Sequence, residues 1–276
     1  MLIRLATYNV RNLFLCGEGE EKPAREVRAL VKTIGQLNVD VMMLQEVGSL
    51  QSLQILNQKL SKPYPFEASV VGNSERSIHL GVLSRVPFET SSHRHIALVD
   101  ENKMPVQYFA NAHAALNAET SPVVVQRDFL KVSLANLTLI GVHLKSKGNP
   151  SWQRIGADEI RMLEARALAA LAASERAKER HRALVVLGDF NDVAASVSLQ
   201  PLADLGWFDL HEKHYKALGR NPSTYWPKRR MRIDRMLITP ETEGYVVANS
   251  AQILIDERFR LASDHYPVAM DLDLPG

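Results

Sequence analysis

Residues suited to metal binding and proton transfer recur at the ends of apolar runs along this 276-residue chain. Asn9 lies at the end of the run 3–10, and Gln45-Glu46 close the run 39–45. His143 ends the run 137–143 in Val-His-Leu-Lys-Ser-Lys, and Asp189 and Asn191 follow the run 184–188 in Gly-Asp-Phe-Asn-Asp. Asp234 sits in Arg-Ile-Asp-Arg, and Asp264-His265 precede the run 268–272 in Ser-Asp-His-Tyr-Pro-Val. The carboxylates of Glu46, Asp189 and Asp264, with the amides of Asn9 and Asn191, are hard oxygen donors. Such donors suit Mg²⁺, Mn²⁺ or Ca²⁺, whereas zinc draws His and Cys. His143 and His265 exchange protons near neutral pH. Clustered carboxylates repel one another unless a cation or a base neutralises them. A metal with acids, imidazoles and amides supplies what attack on a phosphate ester needs: charge offset, an oriented water and a proton for the leaving oxygen.

Each station has a plainer reading when taken alone. A Glu after a strand is commonly a solvated turn residue, and Gly-Asp-Phe-Asn is an ordinary Asx turn. The argument rests on the set, because scaffolds place reactive groups at strand ends and loops. The elements that must deliver them are legible. Short β-branched runs predict strands at 3–10, 39–45, 79–83, 129–132, 137–143, 184–188, 233–238 and 268–272. Helical spacing predicts a helix opened by Pro23 and carrying Val27, Leu30, Val31, Ile34 and Leu37, a second over 50–60, and a third over 157–180. Ile160, Leu163, Ala167, Leu168 and Leu171 form the apolar face of the third. No repeat or flexible linker divides the chain, so one domain of strands and helices over residues 1–276 is expected, most simply two sheets with helices outside.

Composition narrows the class. Hydrophobic residues make up 46% and charged residues 23%, ordinary for a chain with a large core and unlike a disordered one. The net charge of +2 neither demands nor excludes a polyanion. Cys16 is the single cysteine, which excludes an intramolecular disulfide and a Cys-based zinc site. The sequence shows neither a leader pattern nor a long apolar span, so a cytoplasmic protein without membrane contact or an obligate protein partner is expected. His93, His95, His113, His181, His211 and His214 have no second ligand in a metal-binding spacing. His211 and His214, three apart, would share a helical face.

The stations, in their order, resemble those of the endonuclease/exonuclease/phosphatase superfamily, which includes pancreatic deoxyribonuclease, abasic-site endonucleases, neutral sphingomyelinases and inositol polyphosphate 5-phosphatases. The matching segments are 7–13, Leu-Gln-Glu-Val at 44–47, Gly-Val-Leu-Ser-Arg at 81–85 and the four stations at 142–147, 188–192, 232–235 and 263–268. The resemblance implies an α/β (α+β) four-layer sandwich, two packed mixed β-sheets flanked by helices, with the site at one end. It implies Glu46 as principal metal ligand with Asn9 and Asp264. Asp189 and Asn191 would orient water, hold phosphate or line a second metal position. Asp234 would fix His265, which would serve as base or phosphate contact. His143 would be a general acid, and Arg127 would bind phosphate.

One departure stands out. Many relatives carry an acid where this chain has His79, in Arg76-Ser77-Ile78-His79. If that acid steadies the general-acid histidine, His143 lacks it here; equally, His79 is a satisfied strand histidine. As to the ester, Lys145 and Lys147 follow His143, and Lys228, Arg229, Arg230 and Arg232 crowd Asp234, beside Tyr225 and Trp226. Such a set suits backbone phosphates and base stacking, although a charge run alone is also a solvated loop. Trp152 and Trp207 read as packing residues. A metal-dependent phosphodiester hydrolase is expected, a nuclease on DNA or on RNA, with Lys145, Tyr225, Arg230 and Arg127 on the substrate. The alternative is a phosphatase or phosphodiesterase for a small-molecule or lipid-headgroup ester. A binding module on a dead scaffold would have lost metal or proton-transfer stations, and the main ones are present.

Overall fold

The computed structural model describes residues 1–109, 112–148, 153, 155–227 and 231–275. The strands are β1 (Leu2–Leu13), β2 (Val41–Val47), β3 (Phe66–Val70), β4 (His79–Ser84), β5 (Glu89–Ser92), β6 (Gln107–Tyr108), β7 (Ser121–Pro122), β8 (Phe129–Leu134), β9 (Leu137–His143), β10 (Ala183–Asp189), β11 (Phe208–Asp209), β12 (Asp234–Ile238), β13 (Gln252–Ile253) and β14 (Val268–Asp273). The helices are α1 (Ala24–Leu37), α2 (Leu50–Gln58), α3 (Ala112–Leu116), α4 (Ala157–Lys178), α5 (Gln200–Ala203), α6 (Leu210–Ala217) and α7 (Pro240–Glu243).

Two six-stranded sheets dominate, ordered β13-β14-β1-β2-β4-β3 and β11-β12-β10-β9-β8-β5. Each has a single parallel pair at its centre, β1 with β2 and β9 with β10, and antiparallel neighbours on either side. This is the expected mixed sandwich. Because side chains alternate across a strand, one set fills the space between sheets and the other meets the helices. Ile3, Leu5, Val41, Met43, Leu80 and Val82 of the first sheet share a core with Leu137, Leu139, Val185, Leu187 and Met236 of the second. The intervening Ala6, Tyr8, Val10, Met42 and Leu44 pack with Leu30, Ile34 and Leu37 of α1 and Leu53 and Leu56 of α2. Ile140, Val142, Leu184 and Val186 pack with Ile160, Leu163 and Leu168 of α4. Burial on both faces explains why the central strands read as continuous apolar runs. The sheets approach closely at Gly141, where an added Cβ would lie 2.4 Å from Met43 Sδ.

Several elements had no signal of this kind. β5, Glu-Thr-Ser-Ser, is an exposed edge strand, and β3 is a half-buried edge strand, so neither carries an apolar run. α6 opens at an Asp209 cap whose carboxylate accepts from His211 N at 2.9 Å and Glu212 N at 3.1 Å. It places His211 in the core, where Nε2 donates to Ala269 O at 2.9 Å. Among the described residues no helix is long and apolar enough to cross a membrane.

Register brings the polar stations to one rim. Asn9 pairs with Gln45 across the parallel β1–β2 pair, and His143 with Asp189 across β9–β10. The antiparallel strands enter at the same end: Asp234 pairs with Asp189, and β14 starts opposite Thr7, so Asp264 and His265 precede it at the rim. Gly188 makes the β9–β10 approach possible. Its φ is +147°, and a Cβ there would fall 2.0 Å from Val142 O.

Candidate active site

Asp189 is the hub. Its Oδ2 accepts from Asn9 Nδ2 at 3.1 Å and Asn191 Nδ2 at 3.3 Å, and lies 3.5 Å from His143 Nε2 and 4.0 Å from His265 Nε2. Its Oδ1 accepts from Asn191 N at 2.8 Å, an Asx turn that sets Asn191 at φ 54°. Asn191 also donates from Nδ2 to Leu144 O at 2.9 Å, tying the β10 loop to the β9 loop. Burial pushes the Asp189 carboxyl up to about 7; His265 pulls against that shift and Asp234 adds to it.

His265 donates from Nδ1 to Asp234 Oδ2 at 2.8 Å. Its backbone N–H donates to Ser263 Oγ at 3.1 Å, and that hydroxyl donates to Asn9 O at 2.7 Å, so β1 fixes the segment before β14. Burial opposes the charge of His265, but Asp234, then Asp189 and Asp264, outweigh it and hold its pKa at about 10. His143 is the opposite case. Burial, then Arg127, His265 and Arg76, keep its pKa well below the usual histidine value. Its Nδ1 is buried with no partner among the described residues. His79, at the acid's position, instead accepts on Nδ1 from Gly72 N at 3.1 Å, and burial lowers its pKa.

Glu46 stands across the cleft. Next to last in β2, it has a left-handed φ of 64°; Oε2 accepts from Asn12 N at 3.0 Å, and Oε1 makes a long 3.4 Å contact with Asn9 Nδ2. Arg11 and Asn12 are also left-handed, at φ 50° and 48°, where β1 leaves register with β2. Left-handed non-glycine residues of this kind cluster where a site over-determines the backbone. Asp264 Oδ2 lies 4.0 Å from Arg11 Nε, and Asp264 Oδ1 is 3.5 Å from the Ser263 hydroxyl.

Among the described residues, one group of three or more acidic or histidine side chains brings its ligand atoms within 4.8 Å of one another: Asp189, Asp234 and His265. In that group His265 Nδ1 is already engaged by Asp234, so it is a hydrogen-bonded dyad facing a carboxylate. Asn9 links it to Glu46 through its two amide contacts.

Arg127 is buried before β8 and donates from one terminal nitrogen to His143 O at 3.1 Å and Leu144 O at 2.7 Å. Lys145 is held by α4. Its N–H donates to Glu164 Oε2 at 2.7 Å, and its carbonyl accepts from Arg161 at 2.8 Å. Arg161, 0% exposed, also donates from Nε to Asp192 Oδ2 at 2.9 Å, and Glu164 accepts from Gln126 N at 2.9 Å. Two buried charges three residues apart on α4 thus hold the loops after β9 and β10. Sequence reasoning passed over them because they interrupt an apolar stripe; charged residues on an otherwise buried helix face are the signal. Arg76 was read only as part of the His79 segment, and it reaches the site by donating to Asn12 Oδ1 at 2.9 Å and lying 3.9 Å from Glu46 Oε2. Tyr225 is half-buried, its ring centroid 5.1 Å from that of His265. Trp226 donates from Nε1 to Ser263 O at 3.1 Å and packs on the core. Lys228, Arg229, Arg230 and Trp152 lie outside the described residues.

The sequence profile of the Endonuclease/Exonuclease/phosphatase family matches residues 6–265. The chain belongs to this family. It is accordingly a hydrolase of the endonuclease/exonuclease/phosphatase superfamily, whose enzymes use divalent metals. No curated protein matches the chain. Among solved structures it is similar to the human Nocturnin catalytic domain with bound sulfate, at 17% identity, covering 99% of this chain and 95% of that one with a TM-score of 0.66. It is similar also to a family member from Bacteroides vulgatus, at 20% identity with 100% of each chain covered and a TM-score of 0.64. A 3′-5′ exonuclease from Neisseria meningitidis shares 18% identity, with 98% of this chain and 100% of that one covered and a TM-score of 0.62. Likeness at these identities establishes the family's fold.

Proposed function

We propose that this chain is a divalent-metal-dependent nuclease that hydrolyses phosphodiester bonds in a polynucleotide, DNA first and RNA second. The convergence of Asp189, Asp234 and His265 with Asn9, Glu46, Asn191 and His143 on a rim that also carries arginine and lysine supports this reading. The donor set fits a hard cation. The Glu46 carboxylate has one backbone hydrogen bond and one long amide contact, and that of Asp264 has, among the described residues, only a 3.5 Å contact with Ser263 and a 4.0 Å approach to Arg11, so both keep oxygen lone pairs for a cation. Glu46, with Asn9 and Asp264, would hold Mg²⁺ or Mn²⁺, with Ca²⁺ a third candidate. Once bound, such an ion polarises the phosphoryl oxygen and offsets its developing charge.

The chain's own groups do the rest. Asp189 and Asn191 orient the water, and Asp189, its pKa lifted toward neutrality, accepts the water's proton. The water oxygen joins phosphorus as the P–O bond to the leaving oxygen breaks. His265, charged and fixed by Asp234, contacts the phosphate oxygens. His143, kept neutral beforehand by burial and Arg127, takes a proton from solvent once the anionic substrate is bound and delivers it to the leaving oxygen, and Asp189 returns the water's proton to solvent after the cut. Arg127 and Lys145 bind phosphate and Tyr225 stacks on a base, with Arg230 of the basic sequence run adding charge. The similarity to an exonuclease agrees with a nucleic-acid substrate.

The test is hydrolysis of plasmid DNA, single-stranded DNA, RNA and a panel of phosphate monoesters and small diesters, each with Mg²⁺, Mn²⁺, Ca²⁺ or EDTA. Metal-dependent polynucleotide cutting that Glu46→Gln abolishes is expected. Activity confined to the small esters would overturn the nuclease reading.

A further inference from the structure

A crevice of about 280 Å³ opens beside the end of β9, lined by Arg76, Arg127 and Lys145, by Glu75, and by Ile160 of α4. Glu164 stands one turn further along α4 on the face that carries Ile160, and it is 0% exposed. Its two oxygens are divided between two segments. Oε1 accepts from Gln126 N at 2.9 Å, across 38 residues of sequence, and Oε2 accepts from Lys145 N at 2.7 Å, across 19. Gln126 immediately precedes Arg127, and Lys145 lines the crevice itself. One carboxylate thus ties together the two stretches of backbone that bear these cations.

Packing alone does not call for a carboxylate there. Ile160, Leu163 and Leu168 of the same helix are apolar and buried, and a charge among them is costly unless it is hydrogen-bonded. Both N–H groups it serves lie outside the strand ladders, since β8 begins at Phe129 and β9 ends at His143. An ionised carboxylate accepts at both oxygens, whereas an amide side chain has one. Its charge has a second effect. Burial lowers the pKa of Arg127, and Glu164, ahead of Asp189 and Glu46, opposes that shift. Burial, then Arg127, lowers that of Lys145, and Glu164 opposes this as well. The carboxylate therefore lies too deep to touch a ligand, yet it fixes the backbone from which both cations project and offsets their mutual repulsion. Arg127 is tied from its other end by its bonds to His143 O and Leu144 O, so the crevice and the end of β9 form one unit.

We propose that Glu164 is a positioning residue that sets the affinity of the site for substrate phosphate, by holding Arg127 and Lys145 at one spacing from behind. The inference rests on the proposed placement of Arg127 and Lys145 on that phosphate. Glu164 makes and breaks no bond, so its effect belongs to binding.

Glu164→Gln tests it, because the side chain keeps its size but turns an NH₂ group toward one of the two N–H donors. With Mg²⁺ and single-stranded DNA, KM should rise about tenfold while kcat stays within about twofold, the signature of lost uniform binding. In EDTA the salt slope for a single-stranded 20-mer should shrink by about 0.7 to 1.4, the effect of one or two lost phosphate contacts. Lys145→Gln should raise KM by itself, and the double variant should show less than the product of the two single effects, since both act through one contact. A fall in kcat at unchanged KM and slope, or fully multiplicative effects, would reduce Glu164 to a structural residue and overturn the inference. Wild-type KM in Lys145→Gln would overturn the phosphate placement and the inference with it, leaving the metal site to the Glu46→Gln test. If only small esters are hydrolysed, the nuclease reading falls, and the same comparison of KM and kcat on such an ester decides the role of Glu164. Should Glu164→Gln fail to fold, amide hydrogen exchange in the wild-type protein decides. Binding of the 20-mer in EDTA should slow exchange at Gln126 and Lys145 together, and slowing at one alone or at neither would overturn the inference.

Discussion

His265 donates from Nδ1 to the Asp234 carboxylate at 2.8 Å, whereas Nδ1 of His143 is buried with no partner among the described residues. The two imidazoles both face Asp189, yet one is pinned in a dyad and the other is held by packing and by Nε2 alone. Their charges diverge for the same reason. His265 gains more from Asp234 and its acidic neighbours than burial takes away, and His143 has only burial and nearby cations.

In metal-free protein, His265 should therefore remain an imidazolium well above neutral pH, titrating near 10, while His143 stays neutral even below the ordinary histidine range. A histidine raised in the folded state contributes stability that is fully present below its unfolded pKa and lost as pH climbs through its folded pKa. The His265 contribution should thus fade between about pH 6.5 and about 10. Side-chain NMR titration in EDTA checks both; a reversed order of titration would contradict the electrostatics described.

Asp189→Asn should lower hydrolysis by at least about a hundredfold and should remove one source of the pH dependence of stability. A buried carboxyl raised in the folded state disfavours folding when ionised, and that cost is relieved as pH falls through about 7. Replacing the carboxylate with a neutral amide relieves it at every pH. Thermal melts in EDTA across pH and rates in Mg²⁺ measure the two effects; a variant that keeps the wild-type pH dependence of melting and turns over normally would contradict both.

Glu46→Gln should uncouple the protein from divalent cations. At about a hundred times its Kd, a cation that binds only the folded state stabilises it by roughly 2.7 kcal/mol. Wild-type protein should show that gain with Mg²⁺ or Mn²⁺, and the variant should lose most of it. Equal gains in the two proteins would place the cation elsewhere.

Arg161→Ala should cost about 3–5 kcal/mol, the scale for leaving a buried charge without its counterpart, since Asp192 is 5% exposed. Arg161→Lys should restore little, because one ammonium cannot reach both Asp192 and the Lys145 carbonyl. Denaturant unfolding measures the loss. Wild-type stability in the alanine variant would show that α4 does not brace the rim.

Much of the central architecture was legible because the inner strands are buried on both faces, so 137–143 matches β9 in full and the remaining inner runs agree to within a few residues. The edges were not: β3 and β5 lack an apolar signature, and α6 is identified mainly by the cap at Asp209. In the site, the strand-end residues could be named from sequence, since register alone carries them to the rim. Arg161, Glu164 and Arg76 could not, because their importance lies in contacts with backbone and loops far away in the chain. The missing partner of His143 was foreseeable from His79 only as a question; its answer depends on where Gly72 points its N–H.

The pairing of β1 with β14, from Leu2 opposite Asp273 to Thr7 opposite Val268, has a consequence for biosynthesis. A chain made only as far as β12 already contains Asn9, Glu46, His143, Asp189 and Asp234, yet it lacks Asp264, His265 and the strand that borders β1. The dyad cannot close and β1 remains an open edge until that last segment arrives. The group of Asp189, Asp234 and His265 is therefore incomplete in any chain made only that far.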